Sequence, residues 1–360
     1  MTLGYFSHLL EQFKTAAKEA AETIYPLRKN KPRVTPSAFQ VEAPSLKSLQ
    51  VATEYQILKS FVGAYSDDSP PPLLVFGDSV FLRVATDDQS PQSLGEILGA
   101  RYQDCVFQVS GSGYHAGVFE QFSTVLATLP ARPLIAIVPI NLRSFSPTWD
   151  LNPLYQFHSE IELLSSFDLK QPDYRLLDTK PSSELEGRLV PLELDGEKKI
   201  TLDDFLDVIG KSPAIESEMW NRRLKTIFQY HYMYPMYSEH RKIKSLKQTI
   251  RLLIADGVAV YCYITPINYE AGIECCGDGF LKAVEMNISI LRREVESVLS
   301  AALTGNDALM FRFDDFAFRF ARNEFFTFHN ATEHLRFAGR DFIARQIAEA
   351  ERALLKTRTY

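Results

Sequence analysis

Residues 73–83 read LLVFGDSVFLR, an apolar run interrupted by Gly77-Asp78-Ser79. Glycine and aspartate mark a tight bend at a strand end, and a serine there is a good cap for the helix that follows. The carboxyl end of a buried strand is also where open α/β sheets place their chemistry, which makes Ser79 a candidate nucleophile. A lone serine hydroxyl is too weak an acid to attack an ester at neutral pH. It needs a base to take its proton, donors aimed at the developing oxyanion, and a third group to orient the base. Asp78 is assigned to the turn itself, through hydrogen bonds from its carboxylate to nearby backbone.

Such a serine has to be positioned, and the chain around it carries the pattern for that. EYQILKSFVGAY (54–65) reads as a short helix, DDSPPP as a turn, and LLVFGDS as a strand. Strands and helices then alternate. Ser93–Leu98 and Gly117–Leu129 suit helices, and Cys105–Val109 suits a strand. PLIAIVPI (133–140) is a β-branched run between prolines, consistent with a strand buried on both faces. Further on, Ser245–Ala255 and Leu281–Ala302 suit helices, Val258–Ile264 and Ala308–Phe313 suit strands, and FAGRDFIARQIAEAERALL (337–355) is an amphipathic helix. This alternation predicts the α/β class: a three-layer α/β/α sandwich on a mostly parallel, flavodoxin-like sheet. Residues 151–245 break the rhythm and read as a helical insertion, a candidate lid, with helical patterns at Leu202–Ile209 and Ile215–Phe228. Residues 1–45 read as an amphipathic helix, with Phe6, Leu9, Leu10 and Phe13 at helical spacing, followed by a proline-rich basic linker. The α/β domain is expected over 46–360.

Bulk composition narrows the function. The 360 residues are 46% hydrophobic and 23% charged, enough for a sizeable core. A net charge of −6 disfavours nucleic acid as a partner, since a general binder needs cationic surface to displace counterions. The basic run Arg241-Lys242-Ile243-Lys244 reads as a solvated helix face. No stretch reaches the ~20 apolar residues of a membrane span. Without an export signal, Cys105, Cys262 and the vicinal Cys275-Cys276 are expected as reduced thiols in a cytoplasmic protein. The vicinal pair lacks the second pair that a zinc site requires.

Three further stretches follow at strand ends. FQVSGSGYHAG (107–117) comes after the second strand, IVPINLRSF (137–145) ends the third, and NATEHLRFAGRDFIARQIAEA (330–350) precedes the last helix. The G-x-S-x-G elbow of α/β-hydrolases is absent. Together with LLVFGDSV, these four blocks, in this order, resemble the SGNH (GDSL-type) hydrolases over roughly 70–145 and 255–355. The resemblance implies a Ser79 nucleophile and a His334 general base. It also implies an oxyanion hole formed by the Ser79 and Gly111 amides and the Asn141 side chain. No metal or organic cofactor is implied. Two departures stand out. The third block usually reads Gly-x-Asn-Asp and here reads Pro139-Ile140-Asn141-Leu142. The family's acid lies three residues before the histidine, where this chain has Ala331.

Candidates to orient the base in its place are Asn330 and Glu333, with Asp314, Asp315 or a backbone carbonyl near Ala331 further off. Glu333 directly precedes His334, so its side chain is expected to leave in another direction. His115, His329 and Arg143 lie near the blocks and read as pocket-wall or loop residues. The aromatic run QYHYMYPMYSEH (229–240) reads as a loop anchored by buried rings, or as a wall of the substrate cleft. The implied activity is that of a serine esterase on an O-acyl ester, of a small molecule or a carbohydrate, through a Ser-His acyl-enzyme. An O-acyltransferase of the same type and a non-catalytic, degenerate binding protein remain open, as does the oligomeric state.

Overall fold

A computed structural model describes residues 57–85, 87–103, 105–151, 156–166, 218–302, 310–326 and 330–357. The N-terminal helix, most of the insertion and His329 lie outside the described residues. Five strands form one sheet: β1 (Leu73–Gly77), β2 (Val106–Ser110), β3 (Ile135–Ile140), β4 (Ala259–Ile264) and β5 (Phe311–Asp315). Their order is β2-β1-β3-β4-β5 and every pairing is parallel. This is the order of flavodoxin-like doubly wound sheets.

Strand periodicity explains the layers. Successive side chains point to opposite faces, so each central strand feeds two cores. Leu74, Phe76, Ala136, Val138, Ile140, Val260 and Cys262 join one cluster. Leu73, Val75, Ile135, Ile137, Ala259, Tyr261 and Tyr263 join the other. The first face is covered by helical residues 57–64, α3 (Ala116–Leu126), α7 (Arg241–Ala255) and α9 (Gly279–Ala302). The second is covered by α2 (Leu94–Arg101) and α10 (Phe337–Thr357). Full burial of each Leu, Ile or Phe contributes about 1.5–3 kcal/mol, so both layers are needed to offset the ordering of the chain. The remaining helices are α1 (Ser79–Leu82), α4 (Pro147–Leu151), α5 (His158–Ser166), α6 (Glu218–Phe228) and α8 (Tyr269–Cys276). Among the described residues no helix is long and apolar enough to cross a membrane.

Element ends follow local chemistry. Ser93 caps α2 and exchanges hydrogen bonds with Glu96 in a capping box, so the helix begins at Leu94, one residue after the expected start. The basic run that opens α7 is not a solvated face throughout. Lys242 is buried, with Nζ 2.9 Å from Asp150 and 2.6 Å from the Ser144 carbonyl, and His240 Nε2 lies 2.9 Å from the same carboxylate. The ring-rich 229–233 segment is a π-helical turn whose Tyr230 and Tyr232 are buried.

The pairing of β1 with β3 ends at Val75↔Ile137, whereas β3 stays paired with β4 as far as Ile140↔Ile264. The two central strands therefore part at their carboxyl ends, two residues before Pro139, which has no N–H to donate. Such a parting at the point where strand order reverses is the crevice in which doubly wound sheets bind ligands.

Candidate active site

Ser79 is the first residue of α1, separated from β1 by Asp78 alone. Asp78 caps this helix: its Oδ1 accepts the Val80 N–H at 2.8 Å. The first N–H groups of a helix have no intrahelical acceptor, and among the described residues the Ser79 amide makes no backbone hydrogen bond. Asp78 is itself buried. Burial raises its carboxyl above the ordinary range, against hydrogen bonds from Asn141 and Val80 and the charge of Arg143.

The imidazole of His334 meets this serine across 255 residues, with Nε2 3.0 Å from Ser79 Oγ. Two devices hold it there. A short antiparallel bridge joins Phe325 to Leu335. Around it, the Phe326 N–H donates to the His334 carbonyl at 3.0 Å and the Arg336 N–H donates to Glu324 at 2.7 Å. The second is Arg340, on the first turn of α10 and fully buried. Its guanidinium pairs with buried Asp88 at 2.7 Å and donates to the carbonyls of Leu335, Ser90 and Gln92. The loop that follows the nucleophile is thereby fastened to the segment that carries the base.

Neither Asn330 nor Glu333 orients the ring. Thr332 Oγ1 lies 3.1 Å from His334 Nδ1 and also accepts the His334 backbone N–H at 3.1 Å. A threonine hydroxyl bonded to the backbone two residues on is an ST-turn, and the turn delivers the hydroxyl to the ring. In the tautomer that donates Nδ1–H to Thr332, Nε2 presents its lone pair to Ser79. Glu333 points the other way, as its place beside the base suggested. It pairs with Arg143 at 2.8 Å and accepts the Tyr232 hydroxyl. Asn330 offers its carbonyl to Asn268 Nδ2 at 3.1 Å. Asp314 is held by Tyr261 and Arg312, each at 2.8 Å, and Asp315 accepts the Ala317 N–H at 3.0 Å.

Burial lowers the His334 pKa to about 3, and the charges of Arg143 and Arg83 push in the same direction. The ring is therefore neutral throughout the physiological range, free to accept a proton but weakly basic. Burial raises the Glu333 carboxyl as well, with Arg143 and Tyr232 opposing the shift.

Of the other two oxyanion candidates, Gly111 follows β2 and its N–H makes a long contact, 3.4 Å, to the Gly77 carbonyl. A Cβ on Gly111 would meet the Tyr114 ring at 2.5 Å, so this position is glycine because an aromatic ring approaches the backbone. The left-handed residue of this turn is Gly113, at φ 89°. Asn141 ends β3. Its Oδ1 accepts the Arg143 N–H at 3.1 Å, which fixes the amide's orientation, and its Nδ2 donates to Asp78 Oδ2 at 2.7 Å. One of the two Nδ2 protons is thus committed to the carboxylate beside the serine; the second remains for another acceptor. A cavity of about 10 Å³, room for roughly one water, lies against Asp78, Asn141, Tyr114 and Pro139. His115 caps α3 by accepting the Gly117 N–H and forms a wall of this cavity.

The reading of the sequence missed Thr332, the Arg340–Asp88 clamp and the Arg143–Glu333–Tyr232 network. Only the first had a local signal, the Thr-x-His spacing of an ST-turn. A scan against protein-family models finds no match to this chain, and a search of curated proteins finds no significant one.

Proposed function

We propose that the protein is a divergent SGNH-type serine esterase that cleaves O-acyl esters through an acyl-enzyme on Ser79. The observation that carries this reading is the 3.0 Å approach of His334 Nε2 to Ser79 Oγ at the carboxyl end of the sheet. In the proposed step, Ser79 Oγ attacks the ester carbonyl as its proton passes to Nε2. The Ser79 amide and the second Nδ2 proton of Asn141 receive the oxyanion, joined by the Gly111 N–H once it leaves its long contact with the Gly77 carbonyl. His334 then protonates the departing alcohol and activates the water that releases the acid. Thr332 supports the ring's orientation but brings no negative charge. The imidazolium is stabilised less than beside a carboxylate, and modest turnover is expected.

A second reading, a binding protein without turnover, draws on the same substitution of Thr332 for an acid and on the engagement of Asn141 by Asp78. Acyl transfer to a hydroxyl acceptor differs from hydrolysis only in what attacks the acyl-enzyme. One experiment separates the readings: a fluorophosphonate probe and a panel of p-nitrophenyl acyl esters on wild type and Ser79→Ala. Labelling and release that disappear in Ser79→Ala support the esterase, and acceleration by added sugar acceptors supports transfer. Absence of both in the folded wild type supports the binding protein.

A further inference from the structure

Arg83 lies at the mouth of this site, and among the described residues no carboxylate pairs with it. It is the C-cap of α1, and its N–H donates to the Ser79 carbonyl at 3.0 Å. Its exposed guanidinium reaches across to the β2 loop, where Nη2 lies 3.3 Å from Ser112 Oγ, the residue after Gly111. The cation thus spans the two turns that carry the nucleophile and an oxyanion donor. Every described carboxylate nearby is already committed. Asp87 pairs with Arg336 at 2.9 Å and Asp88 with Arg340 at 2.7 Å. Asp78 takes Asn141 and the Val80 amide, and Glu333 takes Arg143 and Tyr232.

A guanidinium has five N–H donors in a planar fork, suited to paired bonds with carboxylate or phosphoryl oxygens, and here Ser112 takes one. Its charge also works against the base, because with Arg143 it opposes protonation of His334. A negative group brought in with the substrate would reverse that effect at the moment the imidazolium forms.

We propose that Arg83 seats an anionic group of the substrate, so that the preferred ester carries a carboxylate or phosphoryl group close to its scissile carbonyl. This rests on the reading of Ser79 as the nucleophile. The test compares kcat/KM for p-nitrophenyl butyrate, the p-nitrophenyl monoester of glutaric acid and the p-nitrophenyl ester of 4-phosphonobutyric acid. Wild type, Arg83→Gln and Arg83→Lys are assayed, with Ser79→Ala as the control for serine-dependent cleavage. The anionic-to-neutral ratio is expected to fall about tenfold or more in Arg83→Gln, as for loss of a charge-assisted hydrogen bond, and to recover in part in Arg83→Lys. Comparison of the two anionic esters tells carboxylate from phosphoryl recognition. An equal ratio in wild type and Arg83→Gln overturns the proposal.

An NMR titration of the Arg83 Nε–Hε resonance with glutarate and with inorganic phosphate, in wild type, reads the seat without turnover. A saturable shift is expected, and its absence overturns the proposal even if Ser79 is catalytic. A saturable shift without serine-dependent cleavage of any ester keeps the anion seat and removes the esterase reading.

Discussion

The low basicity of His334 makes a quantitative prediction that does not depend on any substrate. In the unfolded chain a histidine titrates near 6.5; in the folded protein burial, Arg143 and Arg83 hold this one at about 3. Between those values the unfolded state binds the extra proton, so stability falls as pH drops through the window, by up to about 1.4 kcal/mol per pH unit. Integrated from pH 7 to pH 5, this one residue accounts for a loss of about 2 kcal/mol. The perturbation is that pH drop, applied to wild type and to His334→Asn, and the assay is urea unfolding followed by circular dichroism. Wild type is expected to lose about 2 kcal/mol more than the variant. The comparison cancels every other group that titrates in both proteins, His231 included, which burial also holds well below its ordinary value. Equal losses in the two proteins, to within about 0.5 kcal/mol, would refute the reasoning.

Three further predictions follow from contacts at the site. Thr332→Val keeps the shape but removes the acceptor for His334 Nδ1 and its backbone N–H. The kcat for p-nitrophenyl butyrate should fall about tenfold or more with KM little changed, and 15N shifts of the ring should report a changed tautomer balance. Arg340→Met strands buried Asp88 and should destabilise the fold by about 3–5 kcal/mol in urea unfolding, whereas pairing it with Asp88→Asn should recover much of that loss. Gly111→Ala forces a Cβ to within 2.5 Å of Tyr114 and should cost about 1–3 kcal/mol, relieved in part by Tyr114→Leu.

The layers were legible in the sequence because buried parallel strands leave a strong local trace. PLIAIVPI became β3, buried at every position from Ile135 to Ile140, and VAVYCYI became β4 in the same way. Helix limits were less legible: α7 begins at Arg241, four residues before the pattern suggested, because its first turn buries Lys242 against Asp150. A charged side chain reads as solvent-facing unless its partner is known, and Asp150 lies in a different segment. The approach of Ser79 to His334 has no local signature at all. It was legible only through the order of four short blocks, each at a strand end. The orienting group was misassigned for a related reason. Sequence neighbours suggest Asn330 and Glu333, but the direction of each side chain depends on the bridge from Phe325 to Leu335 and on the network that draws Glu333 toward Arg143 and Tyr232. The hydroxyl of Thr332 reaches the ring because its turn closes on the next residue but one.

The last helix does two jobs at once. It covers the second face of the sheet through Ile343, Ala344, Ile347, Ala350 and Leu354, and its first turn locks the loop before Leu94 through Arg340. During synthesis, a nascent chain that has left the ribosome only as far as residue 330 therefore holds Ser79 without His334 beside it and with the second face of its sheet covered by α2 but not by α10. The contact of His334 with Ser79 and closure of the second core arrive together, with the same two dozen residues, so an unfinished chain cannot assemble this pair before it can also hold its shape.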